Sequence, residues 1–322
     1  MKLGVITNVF ANMSLEEAIV KFKSLGIEAL EIGCGGYPGK AHCDPAKLLS
    51  DDAALAEWLG VIKKYDMEIA ALAVHGNPVH PDKEIAKGYH DDFVNAVLLA
   101  EKIGVDTVVT FSGCPGGSAD DKTPNWVTCP WPNDFGDILN YQWNEVLIPY
   151  WKETAAFAKA HGVSKIAFEM HPGFCVYNPE TLLKLRAAVG DVIGANFDPS
   201  HLIWQGIEPV AAIRVLTGAI YHFHAKDTKV DKYNTANFGV LDTKSYADEI
   251  HRSWIFRSVG YGNGLDYWRD IVSALRLAGY DKVMSIEHED SLMMPEEGLT
   301  LAAKFLNESV LRTQKPSTLG WV

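Results

Sequence analysis

The chain has 322 residues, 48% hydrophobic and 22% charged, which is enough apolar content for a large buried core and excludes wholesale disorder. Its 41 acidic against 29 basic residues leave a net charge of −12, so a phosphate backbone would be repelled and no nucleic-acid partner is expected. No apolar run approaches the roughly 20 residues of a membrane helix, and the opening segment is too short for a secretory signal, so no membrane partner and a cytoplasmic location are expected.

Strand-like and helix-like segments alternate along the whole chain. The first strand covers about Leu3–Thr7. Ser14-Leu-Glu-Glu17 then carries a capping box and opens a helix that stops at Gly26. A second strand, Ala29–Ile32, runs into the glycine-rich loop Gly33–Gly39, and a helix follows over Asp52–Tyr65. The third strand, Glu68–Val74, ends at His75-Gly-Asn-Pro78; a long helix, Lys83–Ile103, leads to a fourth strand, Thr107–Phe111.

The alternation lapses over Ser112–Leu139, a Pro- and Gly-rich stretch with Trp126 and Trp131, of the kind that forms lids or binding loops. A helix is expected over Tyr141–His161 despite Pro149 inside it. The fifth strand, Lys165–Met170, is followed by a helix with Pro179 in its first turn, where a missing N–H costs nothing. The sixth strand ends at Asp198, and the seventh ends in His222-Phe-His-Ala-Lys-Asp227. A second long insertion, Thr228–Asn263, precedes a helix, the eighth strand Lys282–Glu287 and a closing helix, Pro295–Leu311.

Eight such repeats predict an α/β fold, a closed (β/α)₈ TIM barrel with long loops after strands 4 and 7, as one domain over 1–311 and a polar tail over 312–322. No G-x-G-x-x-G follows the first strand, which disfavours a dinucleotide-binding sheet. Gly260-Tyr-Gly-Asn-Gly264 lacks the G-K-[ST] of a phosphate loop and reads as a flexible turn. The five cysteines are odd in number without a C-x-x-C pair, which suits reduced packing thiols.

Four apolar runs end in polar side chains: Glu169, Asp198, His224 and Glu287 close strands five, six, seven and eight. Adjacent strands of a barrel deliver such ends to one rim, and three carboxylates with one imidazole suit a hard divalent ion. One ion is expected, with Mn²⁺ preferred over Mg²⁺, Co²⁺ or Zn²⁺. His222 shares the face of His224, which is favoured as ligand because it lies nearer the rim. His201 and His171 follow Asp198 and Glu169 closely enough to touch a substrate. His75 is a further candidate, and Lys226 could neutralise an oxyanion or pair with Asp227.

With Glu169-Met-His-Pro172, Asn196-Phe-Asp-Pro-Ser-His201, His222-Phe-His-Ala-Lys-Asp227 and Ser285-Ile-Glu287 in this order, the chain resembles the xylose-isomerase-like superfamily of sugar isomerases and epimerases. Its relatives include ketose 3-epimerases, inosose dehydratases and catalytic subunits of C-glycoside deglycosidases; abasic-DNA endonucleases share the fold. The resemblance implies metal ligation by Glu169, Asp198, His224 and Glu287. It also implies that Glu169 and Glu287 move the proton and that His201 holds a substrate oxygen. The two insertions exceed a minimal epimerase and bring Trp131 and Arg257 forward as substrate contacts.

The chemistry expected is proton abstraction beside a carbonyl of a sugar or cyclitol through a metal-stabilised enediolate, giving an isomer or epimer. The alternative is a lyase cleaving 3-oxo-glycosides, with the aromatic insertions over the aglycone. A sugar or glycoside is the expected small-molecule partner. A homo-oligomer is expected, and a second subunit is left open.

Overall fold

The computed structural model describes residues 1–314, so of the expected tail only 312–314 fall within it. Seven strands, β1 (Lys2–Ile6), β2 (Ala29–Gly33), β3 (Glu68–Ala73), β4 (Thr107–Thr110), β5 (Lys165–Glu169), β6 (Ile193–Phe197) and β7 (Ile220–Ala225), come first. A hairpin follows, β8 (Asp227–Val230) against β9 (Trp254–Arg257), and then β10 (Val283–Ile286). The strands β1–β7 and β10 close into a barrel in the order β1-β10-β7-β6-β5-β4-β3-β2, and every pairing in it is parallel. The expected (β/α)₈ barrel is what forms.

The strand period of two decides what faces the barrel axis. Ile6, Ala71, Ala73, Val109 and Ala167 pack together as a small apolar plug. Two residues on from Ala167 is Glu169, and the same alternation aligns Asn196 with Asp198, His222 with His224, and Ser285 with Glu287. Small apolar side chains line part of the interior, and buried polar side chains fill the rest of it up to the C-terminal mouth. The other strand face carries Leu3, Leu30, Leu72, Val108, Phe168, Phe197 and Phe223 outward into the main core beneath the helices.

Several local expectations recur in the coordinates. Ser14 caps its helix by accepting from the Glu17 backbone N–H while the Glu17 carboxylate accepts from the Ser14 N–H. Gly104 ends the helix Lys83–Ile103 at φ 74°. Gly36 is a close-approach glycine: a Cβ there would lie 1.9 Å from the His75 carbonyl oxygen, so the loop after β2 can press against the end of β3 only without one.

The insertions differ from their expected form. The first is irregular to residue 133 and then folds into a helix, Asp134–Tyr141. The helix expected over Tyr141–His161 forms, with a π-type widening over Gln142–Leu147 directly ahead of Pro149. Such a widening is a common way for a helix to accommodate a local break in its hydrogen-bond ladder. Gln142 is buried, and its amide donates to the carbonyls of Pro115, Gly116 and Asn125, tying the irregular stretch to this turn. The second insertion, expected as loop, holds the β8–β9 hairpin and a helix over Lys232–Phe238.

Candidate metal centre and substrate pocket

Glu169, Asp198, His224 and Glu287 converge at the C-terminal mouth, each offering one ligand atom within 4.8 Å of the others. Nδ1 of His224 lies 3.2 Å from Glu169 Oε2 and 3.1 Å from Glu287 Oε2. His224 Nδ1 and Asp198 Oδ2 are both buried and have no aligned hydrogen-bond partner. Eight such orphaned side-chain atoms occur among the described residues; Asn196 Oδ1 and Ser200 Oγ belong to the same rim. Buried polar atoms are normally satisfied, so their concentration here is an arrangement that a cation could complete. The donors, three carboxylate oxygens and one imidazole nitrogen, fit Mn²⁺, Mg²⁺ or a similar hard ion.

The electrostatics make the same demand. Burial pushes the Asp198 carboxyl up to about 7, helped by Glu169 and Glu287 against the pull of Lys226. Burial would also raise Glu287, but Lys226 and His224 bring it down to about 2. Burial disfavours charge on His224, yet Glu31 and Glu287 outweigh it and hold the imidazole well above its ordinary value. Without an ion, protons on Asp198 and His224 supply part of the positive charge that the carboxylates require.

Glu31, which the sequence reading overlooked, lies directly below. It is wholly buried on β2 and accepts from Ser285 Oγ at 2.7 Å, with His222 Nε2 at 2.9 Å and His224 Nε2 at 2.8 Å. With Nε2 of His224 donating to Glu31, a neutral imidazole keeps its lone pair on Nδ1, facing the other ligands. A second set of candidate ligands, Glu31, His222 and His224, is therefore already satisfied internally. The sequence did hold a signal for Glu31, a lone carboxylate inside the apolar run Ala29-Leu-Glu-Ile32. Only a closed barrel sets it opposite two histidines about 190 residues away (|i−j| 191 and 193).

The other expected site residues divide. His201 Nε2 sits 2.9 Å from Glu169 Oε1 and 3.3 Å from Asp198 Oδ2, carried on a short helix, Pro199–Ile203, rather than a loop. Burial and its neighbours His171 and Lys226 keep His201 neutral, well below the ordinary value. His75 reaches Glu169 Oε2 at 3.1 Å. His171 packs against His201 with ring centroids 4.1 Å apart and planes tilted by 53°, and burial lowers its pKa too.

Lys226 does not pair with Asp227. Its ammonium lies 2.7 Å from Glu287, 2.9 Å from Glu289 and 3.1 Å from Asp198. Burial works against its charge, but these carboxylates more than compensate, and the group stays protonated. Asp227 instead accepts from the backbone N–H groups of Thr228, Gly260, Gly262 and Asn263 and from Trp268 Nε1, so the expected flexible turn at Gly260–Gly264 is anchored.

Two expected contacts are not brought to the site. Trp131 stands 74% exposed, and Arg257 is committed to Asp290 at 3.0 Å with its guanidinium over Tyr261. Their position in the insertions suggested substrate contact, but the hairpin turns the β9 end toward Asp290. The cavity above the ligands, about 370 Å³, is lined instead by His171, Tyr246, Phe256 and Glu289. A larger cavity of about 560 Å³ opens at the opposite mouth, but most of its charged residues are already in ion pairs, as Lys2 is with Glu68 at 2.5 Å.

Comparison with known proteins agrees with this architecture. The chain is 39% identical over 312 residues to the uncharacterized protein YfiH of Bacillus subtilis (strain 168), covering 96% of this chain and 99% of that one. Among solved structures, an L-ribulose 3-epimerase superposes with a TM-score of 0.64 at 16% identity, covering 96% of this chain and 94% of the other. The IOLI protein with a bound zinc atom gives 0.65 at 20% identity, covering 96% and 98%. At such identities the likeness is one of fold. No helix among the described residues is long and apolar enough to cross a membrane. A model of the xylose isomerase-like TIM barrel family matches residues 19–309, and the chain belongs to that family.

Proposed function

We propose that this protein is a metal-dependent isomerase or epimerase acting on a sugar or cyclitol. The observation that carries the reading is the convergence of Glu169, Asp198, His224 and Glu287 around an orphaned His224 Nδ1. A divalent ion held by these four would polarise a substrate carbonyl and stabilise the enediolate formed beside it. Glu169, on β5, and Glu287, directly after β10, each bring an oxygen close to His224 Nδ1, at 3.2 and 3.1 Å; in this reading one removes a proton from carbon and the other returns it. His201 and His75, each bonded to Glu169, fix that carboxylate's orientation. His201, neutral, donates or accepts at a substrate oxygen. The epimerase among the fold neighbours acts on a ketose, which is chemistry of this kind.

A second reading, β-elimination after the same first step, is favoured by Lys226. Isomerisation returns the proton to carbon, whereas elimination must stabilise a departing oxygen. A buried ammonium beside Glu287 and Asp198 is suited to that. Deuterium uptake from D₂O into a panel of ketoses, inososes and 3-oxo-glycosides tests both readings. Exchange that requires the ion and stops with a chelator supports them, product analysis separates them, and absence of exchange from every substrate by the metal-loaded protein refutes the proton-transfer chemistry.

A further inference from the structure

Two of the five cysteines, far apart in sequence, meet in the loops beyond β4 and β5. Cys114 belongs to the first insertion, and Cys175 to the loop after β5 that also carries His171. Both are free thiols, Cys114 1% and Cys175 6% exposed. The Cys175 thiol hydrogen-bonds to the sulfur of Cys114.

The backbone is clamped around that contact. The Cys175 N–H donates to the Gly113 carbonyl at 3.0 Å, and the Val176 N–H donates to Ser112 Oγ at 2.9 Å. From beyond the end of β3, the Asn77 side chain donates to the Cys114 carbonyl at 2.9 Å and accepts from the Cys114 N–H at 3.0 Å. Three loops thus hold the two sulfurs together, so a covalent bond between them asks for little backbone movement.

The two thiols are also unlike each other. The hydrogen bond from Cys175 outweighs burial and, with the Asn125 backbone, holds the Cys114 thiol below its ordinary value. The same hydrogen bond, together with burial, keeps the Cys175 thiol well above it. A thiol that ionises readily beside one that keeps its proton is a nucleophile with a resolving partner. Cys34 and Cys43 provide the contrast within the same chain. Both are buried, burial raises both, and the Cys34 thiol donates to the Ala73 carbonyl.

We propose that Cys114 and Cys175 are a modification site, joined by a reversible disulfide when a small peroxide enters, and that this bond fastens the first insertion to the loop carrying His171. With hydrogen peroxide, the Cys114 thiolate attacks one oxygen, the O–O bond breaks, and hydroxide leaves and takes up the proton that the thiol had lost. The resulting sulfenic acid is attacked at sulfur by Cys175; the S–O bond breaks, and the oxygen departs as water with the Cys175 proton. Two thiols are oxidised by two electrons, and one peroxide is reduced to two waters. His171 walls the reaction cavity, so the bond restrains one side of it. The step is independent of the reaction proposed above.

The test treats the full-length, reduced protein, freed of reductant, with equimolar hydrogen peroxide, then alkylates it in denaturant and maps its peptides by mass spectrometry. A Cys114–Cys175 cross-linked pair, lighter by two hydrogens, is expected to form about tenfold or more faster than any oxidation of Cys34 or Cys43, and to vanish with dithiothreitol. Proteolytic cleavage within the first insertion should slow several-fold on oxidation and recover on reduction. Cys175→Ala removes the resolving thiol, so dimedone should label Cys114; in Cys114→Ala, Cys175 should stay unlabelled. The wild-type map decides by itself if either variant fails to fold. Peroxide that leaves both thiols reduced, joins them to other cysteines, or carries Cys114 to sulfinic acid beside an intact Cys175 would overturn the proposal. Labelling of Cys175 in Cys114→Ala would overturn the assigned roles, and unchanged cleavage after the bond has formed would overturn the fastening.

Discussion

At the scale of single residues, the site is held by pairs in which one partner orients the other. Glu287→Gln keeps the shape but removes a base and a ligand charge, and deuterium exchange is expected to fall by about 10²–10⁴-fold. Exchange at the wild-type rate would remove Glu287 from the proton-transfer step. Glu31 touches His224 on the side away from the other ligands, so Glu31→Gln should weaken Mn²⁺ binding by about 10–100-fold in calorimetry. Asp198 adds a pH dependence with a definite sign. Its carboxyl, raised to about 7, is protonated below that value in the metal-free protein. An incoming ion must expel the proton, so affinity should climb as pH rises from about 6 to 8, with proton release visible as a buffer-dependent binding heat. Flat affinity across that range would contradict the assignment. Glu169, Asp198, His224 and Glu287 were legible beforehand because each ends an apolar run. Glu31 was not, because its partners come from β7 and β10 and the sequence does not show which strand faces which.

At the scale of elements, the insertions departed most from expectation. Their Pro, Gly and Trp content spoke for irregular structure, and no alternation long enough to announce the β8–β9 hairpin was recognised. That hairpin exists because tertiary partners reward it: Trp254 stacks on Trp204, and Asp227 at its start collects the N–H groups of the 260–263 turn. Asp227→Ala should therefore leave several buried donors unpaired and cost about 3 kcal/mol or more in urea unfolding. A loss below about 1 kcal/mol would show that the turn holds without it. Pro149 shows a helix absorbing a local misfit: the apolar pattern runs straight through it, and the backbone stays helical with a π-type widening over Gln142–Leu147 just before the proline. Trp131 and Arg257 lie in the two insertions, and chain position alone does not say which way the side chains of an insertion face.

At the scale of the whole molecule, the proposed metal site would couple ion binding to stability. Its four residues come from four strands, β5, β6, β7 and β10, or from the positions directly after them, and the unfolded chain has no comparable site. An ion at about 100 times its dissociation constant should stabilise the fold by about 2.7 kcal/mol. The expected outcome is a rise in Tm of several degrees with Mn²⁺ that EDTA reverses; an unchanged Tm with a bound ion would mean that the ion sits outside this rim. The sequence by itself determined the (β/α)₈ architecture and the four residues that the barrel gathers at one mouth as candidate ligands. Both follow from local patterns: hydrophobic period, helix caps, and polar residues at strand ends that parallel pairing must bring to one mouth. The tertiary structure alone decided which side chains support those four residues and where Lys226 spends its charge. These depend on contacts between segments far apart in the chain, whose mutual orientation is set by how the closed barrel and its covering layers pack.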